Sequence, residues 1–190
     1  MFEAAGGKRA VAMRVATPWL VRTVDAGAPV SPVATPPRRV VFVCRGNICR
    51  SPYAEAAARR AGLDVISAGL DADAGRPANP VVARLAAPRG LDLAPHRARA
   101  VAEAGLAEGD LVLGFERAHL AELRARVPGA GAPGGPALRL AGAYAGAARW
   151  HLHDPYGLDE RYVQRCLDDI DAAVAALVRH LAGAARGARG

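Results

Sequence analysis

The sequence predicts an α/β fold: a four-stranded parallel sheet covered by helices on both faces, in three layers. Two observations predict it. Short apolar runs rich in β-branched residues alternate with helix-forming segments from residue 39 onward, the pattern of parallel strands joined by helical crossovers. The first of those runs, Val40-Val41-Phe42-Val43, shows no polar alternation, so both of its faces are expected to be buried.

The elements follow in order. Val40–Val43 is the first strand. After a turn from Cys44 to Arg50, Ser51-Pro52 opens a helix, with serine as cap and proline in the first turn, and Ala54–Arg60 continues it. Asp64–Ser67 is a second strand. Asn79 caps a helix over 79–87 with Pro80 at its first position. Leu111–Leu113 is a third strand and Glu116–Val127 a third helix, with Leu120, Leu123 and Val127 on one stripe. A Gly/Pro loop spans 128–136, and Leu138–Leu140 is a short fourth strand. Asp159–Leu181 is a long terminal helix with Tyr162, Cys166, Ile170, Val174 and Leu177 along one side. The 190 residues are enough for one domain, placed at 39–183. Residues 1–38, which end in a Pro-rich stretch, are read as a disordered tail, and 184–190 as a C-terminal tail.

Composition narrows the function. Lys8 is the only lysine. Lys8, Arg9, Arg14, Arg22, Arg38 and Arg39 against Glu3 and Asp25 put +4 of the net +7 charge in residues 1–39. The body is therefore only mildly basic, and with few aromatic residues it does not suit a nucleic-acid partner. No run of 18 apolar residues suggests a membrane span. Three cysteines, Cys44, Cys49 and Cys166, do not suggest a secreted disulfide framework. A cytoplasmic protein is the expectation.

The chemistry concentrates at Cys44-Arg45-Gly46-Asn47-Ile48-Cys49-Arg50-Ser51-Pro52. The bare C-x5-R core is weak in so arginine-rich a chain; its context is what makes it specific. A buried strand precedes it and a helix follows, so the turn lies at the carboxyl end of a strand, where ligands bind in such sheets. Backbone N–H groups in a tight loop before a helix form an anion nest. Gly46 suits unusual dihedrals and Asn47 is the next most tolerant residue. Arg50 can present two parallel donors to phosphate. The same field favours a thiolate at Cys44. A thiolate beside a bound phosphate is the arrangement for phosphoryl transfer to sulfur, and the nest with the guanidinium neutralises charge without a metal. There is no G-x-x-x-x-G-K-[ST] nucleotide loop. Residue by residue, a structural cysteine beside an ordinary turn, a surface histidine at His96 and a plain Asp-Pro turn at Asp154 are the bland alternatives. His151-x-His153-Asp154 could suggest a metal site, but no further ligand cluster is evident.

Val43 to Glu55, V-C-R-G-N-I-C-R-S-P-Y-A-E, resembles the signature of the low-molecular-weight protein-tyrosine phosphatases. The likeness continues at Ser67-Ala68-Gly69, His96-Arg97-Ala98-Arg99 and Asp154-Pro155-Tyr156, and covers residues 39–183. It implies that family's fold and a cofactor-free, metal-independent phosphatase acting on phosphotyrosine in protein substrates through a phosphocysteine. It makes Cys44 the nucleophile, Arg50 the phosphate clamp and Asp154 the general acid. Arg45, Gly46, Asn47, Ile48, Cys49 and Ser51 would form the phosphate loop, with Ser51 hydrogen-bonded to the cysteine sulfur. Ser67 and His96 would support Asn47, and Tyr156 would wall the cleft. Cys49 would either close a reversible disulfide with Cys44, as the resemblance implies, or be a small buried side chain. Cys166 is read as core.

Several residues depart from the family pattern. Gly157 stands where a second aromatic is frequent, and residues 70–75 lack a Trp or Tyr. Gly114-Phe115-Glu116 departs without an evident consequence. Arg45 would favour acidic peptides. Three rivals bear on function. A protein-arginine phosphatase tends to carry Thr where Ile48 stands. A thiol-type arsenate reductase would need cysteines in the loop after residue 90, and none lies between Cys49 and Cys166. A non-catalytic phospho-ligand binder would lack Cys44 or Asp154.

Overall fold

The computed structural model describes residues 36–145 and 151–187. The disordered-tail reading of residues 1–38 falls, for 1–35, outside the described residues. Four strands, β1 (Arg39–Cys44), β2 (Val65–Gly69), β3 (Asp110–Gly114) and β4 (Ala137–Leu140), form one sheet in the order β2-β1-β3-β4. Every pairing is parallel. Among the described residues four α-helices cover the sheet: α1 (Arg50–Arg60), α2 (Pro80–Ala86), α3 (Arg117–Arg126) and α4 (Glu160–Gly187).

The absence of polar alternation in β1 has its predicted consequence. Val40, Phe42 and Cys44 enter one core with Tyr53, Leu111, Leu113, Phe115 and the inner side of α4. Val41 and Val43 enter a second core with Ala68, Val112, Leu120, Leu123, Leu138 and Leu140. Successive side chains of a strand point to opposite faces, so a sheet covered on both sides makes every residue of β1 after Arg39 buried. The stripe predicted for the last helix is the one observed: Tyr162, Cys166, Ile170, Val174 and Leu177 are all buried. Asn79 caps α2 through its side chain, accepting from the N–H groups of Val81 and Val82.

Two local expectations are corrected. Ser51 does not cap α1. The helix starts at Arg50 after Cys49, with no side-chain cap bond, because the Ser51 hydroxyl is turned inward to the Cys44 sulfur. Gly46 is not the residue with the unusual dihedral. Asn47 is, at φ 53°, and it is the only described non-glycine residue with positive φ. The last helix also continues beyond Leu181, to Gly187.

Candidate active site

β1 ends at Cys44, and its carboxyl end leads straight into the loop 44–50 and the N-terminus of α1. Leu70 and Asp71 donate their backbone N–H groups to the carbonyls of Cys44 (3.0 Å) and Arg45 (2.9 Å), binding the chain after β2 to this loop. That approach is why Gly69 is glycine. A Cβ there would sit 2.9 Å from the Arg45 carbonyl oxygen and from the Asn47 nitrogen.

Asn47 organises the loop. It is fully buried, and its side-chain amide and its carbonyl are all engaged. Its Nδ2 donates to Ser51 Oγ at 2.9 Å and to Ser67 Oγ at 2.8 Å. Its Oδ1 accepts from the Arg99 N–H at 2.9 Å, which fixes the amide orientation. Its carbonyl accepts from His96 Nε2 at 2.7 Å, so that nitrogen carries the proton. Burial pushes the His96 pKa down, consistent with a neutral imidazole as donor. The structure thus brings Ser67 and His96 into hydrogen bonds with Asn47.

These bonds also set the direction of the hydroxyls. Ser67 accepts from Asn47 and donates to Glu55. Ser51 accepts from Asn47, so its own hydrogen is left for Cys44 Sγ at 3.0 Å or the more distant Ala68 carbonyl at 3.4 Å. Glu55, on α1, was not singled out from sequence. Its position four residues after Ser51 on a helix was the available signal.

Arg50 is 1% exposed. One terminal nitrogen donates to Glu116 and to the Leu152 carbonyl, the latter at 2.8 Å. The other lies 2.8 Å from Asp154 Oδ2. Its Cζ stands 5.7 Å from the centroid of the Phe115 ring. Nε is buried and takes no partner among the described residues, leaving a donor for an anion. The departure at Phe115-Glu116 therefore has a consequence after all: this segment holds the guanidinium. It also holds the loop bearing Asp154, because Leu152 donates its N–H to the Phe115 carbonyl at 2.9 Å. Burial opposes ionisation of Glu116, but Arg50 outweighs it and holds the carboxyl below its usual range.

A single cleft is lined by Cys44, Arg45, Gly46, Ile48, Cys49, Arg76, Asp154 and Tyr156. Cys44 and Asp154, distant in sequence, thus share one space. Tyr156 is its one aromatic lining residue among the described residues and is 56% exposed. Gly157 adopts φ 74°, a conformation that disfavours the aromatic frequent there. Arg76 was missed from sequence, and nothing in its loop signalled it. The acidic-peptide role expected of Arg45 meets a different environment, since its guanidinium is already bridged to Asp71 and Glu122.

The two cysteines of the loop differ chemically. Burial, then the nearby Cys44, pushes the Cys49 thiol well up, so Cys49 stays protonated. None of the three cysteines is in a disulfide, and Cys166 is core. His153 packs its ring edge-on to Tyr162 at 6.3 Å. Among the described residues no group of three or more His, Cys, Asp or Glu is placed to hold a metal ion, and no helix is long and apolar enough to cross a membrane.

Beneath Arg50, His119 accepts the Phe115 N–H through Nδ1 at 3.2 Å. Burial, then the Arg50 charge, pushes its pKa down to about 4. In the unfolded chain it titrates near 6.5. Between these values the unfolded chain binds more protons, so stability falls as the pH drops from about 6.5 to about 4. The contribution is on the order of 3 kcal/mol. His96 and His151 are shifted the same way by burial and add to the trend. Urea unfolding at pH 7 and pH 4.5 should show the loss, and His119→Asn should shrink it. An equal loss in that variant would assign the slope to other groups.

An anion-accepting loop closed by a buried arginine, with a cysteine at its start and a carboxylate across the cleft, defines the cysteine-dependent phosphatases as a class. The comparisons agree. Residues 39–186 match the model of the low molecular weight phosphotyrosine protein phosphatases, and the chain belongs to that family. It is 34% identical over 143 residues to a probable low molecular weight protein-tyrosine-phosphatase, EpsP, of Ralstonia nicotianae, covering 74% of this chain and 94% of that protein. Its structure resembles Vibrio vulnificus Wzb in complex with benzylphosphonate, with a TM-score of 0.67, 28% identity, and coverage of 75% and 98% of the two chains. The YwlE arginine phosphatase of Geobacillus stearothermophilus, at 24% identity and a TM-score of 0.68 over 77% of this chain and 94% of that one, shares the fold. This chain is therefore a cysteine-type phosphatase that hydrolyses phosphotyrosine.

Proposed function

We propose that Cys44, Arg50 and Asp154 carry this hydrolysis out on phosphotyrosine side chains of protein substrates. The observation that supports it best is that Asp154 lines the same cleft as Cys44 while standing 2.8 Å from the buried guanidinium of Arg50. The phosphate enters the nest of loop N–H groups, and Arg50 turns Nε and a terminal N–H on its oxygens. Cys44 Sγ attacks phosphorus opposite the phenolic oxygen. The P–O bond breaks, the P–S bond forms, and Asp154 gives its proton to the departing oxygen. Water then attacks the phosphocysteine, losing its proton to Asp154, and the sulfur leaves as a thiolate that accepts the Ser51 hydrogen. The other loop residues, Arg45, Gly46, Asn47, Ile48 and Cys49, shape the nest, with Ser67 and His96 holding Asn47. Tyr156 stacks on the substrate ring.

Ile48 supports the aryl reading over a phosphoarginine one. It lines the cleft and is buried, offering an apolar contact to a phenyl ring and none to a guanidinium. A reducing, cytoplasmic setting suits a reactive thiol with a second cysteine in its own loop.

The test is p-nitrophenyl phosphate hydrolysis by the wild type and Asp154→Ala, with EDTA and reductant present. The variant should be slower by about 10²–10⁴-fold, the usual worth of a positioned acid. A leaving group that needs no proton should recover much of that loss. An unchanged rate on p-nitrophenyl phosphate would remove Asp154 from the role.

A further inference from the structure

Among the described residues two arginines line the mouth of the cleft, Arg45 and Arg76, and they are in opposite states. Arg45 is engaged. One terminal nitrogen lies 2.6 Å from Asp71 and the other 2.6 Å from Glu122. Arg126 pairs with the same two carboxylates, at 2.8 Å and 2.6 Å. Two arginines and two acids cancel, and each carboxylate already has two guanidinium partners. A carboxylate arriving at Arg45 would have to displace one of these and gain little. The cluster works as a wall: Arg126 also donates to the Leu70 carbonyl at 2.8 Å, fastening the chain after β2 to α3.

Arg76 is exposed, and its guanidinium makes no hydrogen bond or ion pair with any described residue. Its backbone is nevertheless fixed. Its N–H donates to the Asp73 carbonyl at 3.1 Å, and its carbonyl accepts from Ala98 N–H at 2.8 Å. Gly75 donates to the Ala98 carbonyl at 2.8 Å, and Asn79 N–H reaches the Ile48 carbonyl of the phosphate loop at 2.7 Å. Asp73 offers Arg76 its backbone, and its carboxylate forms no pair with it. A cation with a preorganised root and an unengaged head is suited to a partner that arrives with the substrate. Among the described residues the one acidic group lining the cleft, Asp154, is itself against Arg50, so the mouth presents positive charge to solvent.

We propose that Arg76 selects phosphotyrosines flanked by acidic residues, pairing with a carboxylate of the bound peptide at the mouth of the Cys44 cleft. The inference rests on the phosphotyrosine reading of that cleft. Phosphate is taken by the loop and Arg50 below. The neighbouring peptide side chain meets Arg76 above, and the positive mouth raises the encounter rate of acidic substrates.

The test uses two phosphotyrosine peptides of equal length, one with Glu on both sides of the phosphotyrosine and one with Gln. Their kcat/KM ratio is measured for the wild type, Arg76→Ala and Arg76→Glu. At low salt the wild type should favour the acidic peptide by about 3–5-fold, the scale of an exposed ion pair. Arg76→Ala should bring the ratio near one, and Arg76→Glu should invert it. Raising the salt to about 0.5 M should collapse the wild-type preference, since screening then acts within a few ångströms. Equal rates on the two peptides, or a preference that survives in Arg76→Ala, overturn the inference while p-nitrophenyl phosphate turnover leaves the underlying reading intact. A wild type inactive on p-nitrophenyl phosphate and on both peptides would overturn that reading and the inference together.

Discussion

Cys44→Ser should lose p-nitrophenyl phosphate turnover down to background while the folded protein still binds inorganic phosphate. The two halves of this expectation have separate causes. Turnover needs a nucleophile that is anionic at neutral pH and departs easily from phosphorus. A serine hydroxyl in the same place stays protonated at neutral pH, and the neighbouring Ser51 hydroxyl, which accepts from Asn47, is too weak a base to activate it. In the mechanism we propose, phosphate binding comes from backbone N–H groups and Arg50 instead. The substitution leaves Asn47, its four hydrogen bonds and the α1 N-terminus in place. Cys49 will not rescue the reaction, because burial holds its thiol protonated. Activity is read in EDTA and reductant, and binding by isothermal calorimetry with inorganic phosphate. Turnover retained in this variant would defeat the covalent route, and lost phosphate binding would mean the sulfur itself holds the loop together.

The sequence was most informative where a single residue type answers a local physical demand. The β1 run has no polar position because the sheet is covered twice. The Asn79-Pro80 start of α2 needs only a cap and a preset φ. Asn47 was named as tolerant of unusual dihedrals, and it takes the left-handed conformation. The errors arose where tertiary contacts competed with local preference. Ser51 is a good cap by type, but the buried sulfur and Asn47 compete for its hydroxyl and win. Arg45 follows the cysteine and looked available to acidic peptides, yet Asp71, from the chain after β2, and Glu122, from α3, engage it. Glu116, Phe115 and Leu152 were illegible for the same reason. Each acts on Arg50 only once β3 and the Asp154 loop converge on α1, and no local pattern encodes that meeting. Arg76 carries no local signature at all. What marks it is the lack of a partner among the described residues, visible only when Arg45, the other described cation of the mouth, is seen to be paired.

Arg50→Lys should leave the protein nearly inactive on aryl phosphates although the charge is kept. Arg50 serves several acceptors at once: Glu116 and the Leu152 carbonyl from one nitrogen, Asp154 from the other, with Nε still to spend. Its plane also rests near the Phe115 ring. Lysine offers one nitrogen with three donors and no fork. It cannot hold Glu116, span to Asp154 and present two parallel N–H groups to phosphate. Whichever acceptor it abandons is left buried or half-buried beside an incoming dianion, where like charge repels it. Losing one preorganised donor to a developing charge costs about 10²–10³-fold, and here two are lost, so a fall in kcat/KM of at least about 10³-fold is expected. Because Arg50 also ties the Phe115-Glu116 segment to the Asp154 loop, the stability of the variant is measured alongside by urea unfolding. A folded variant with the full kinetic loss assigns the effect to geometry at the phosphate. A variant within tenfold of wild type would mean that a point charge is enough, and the fork seen around Glu116 and Asp154 would then be structural only.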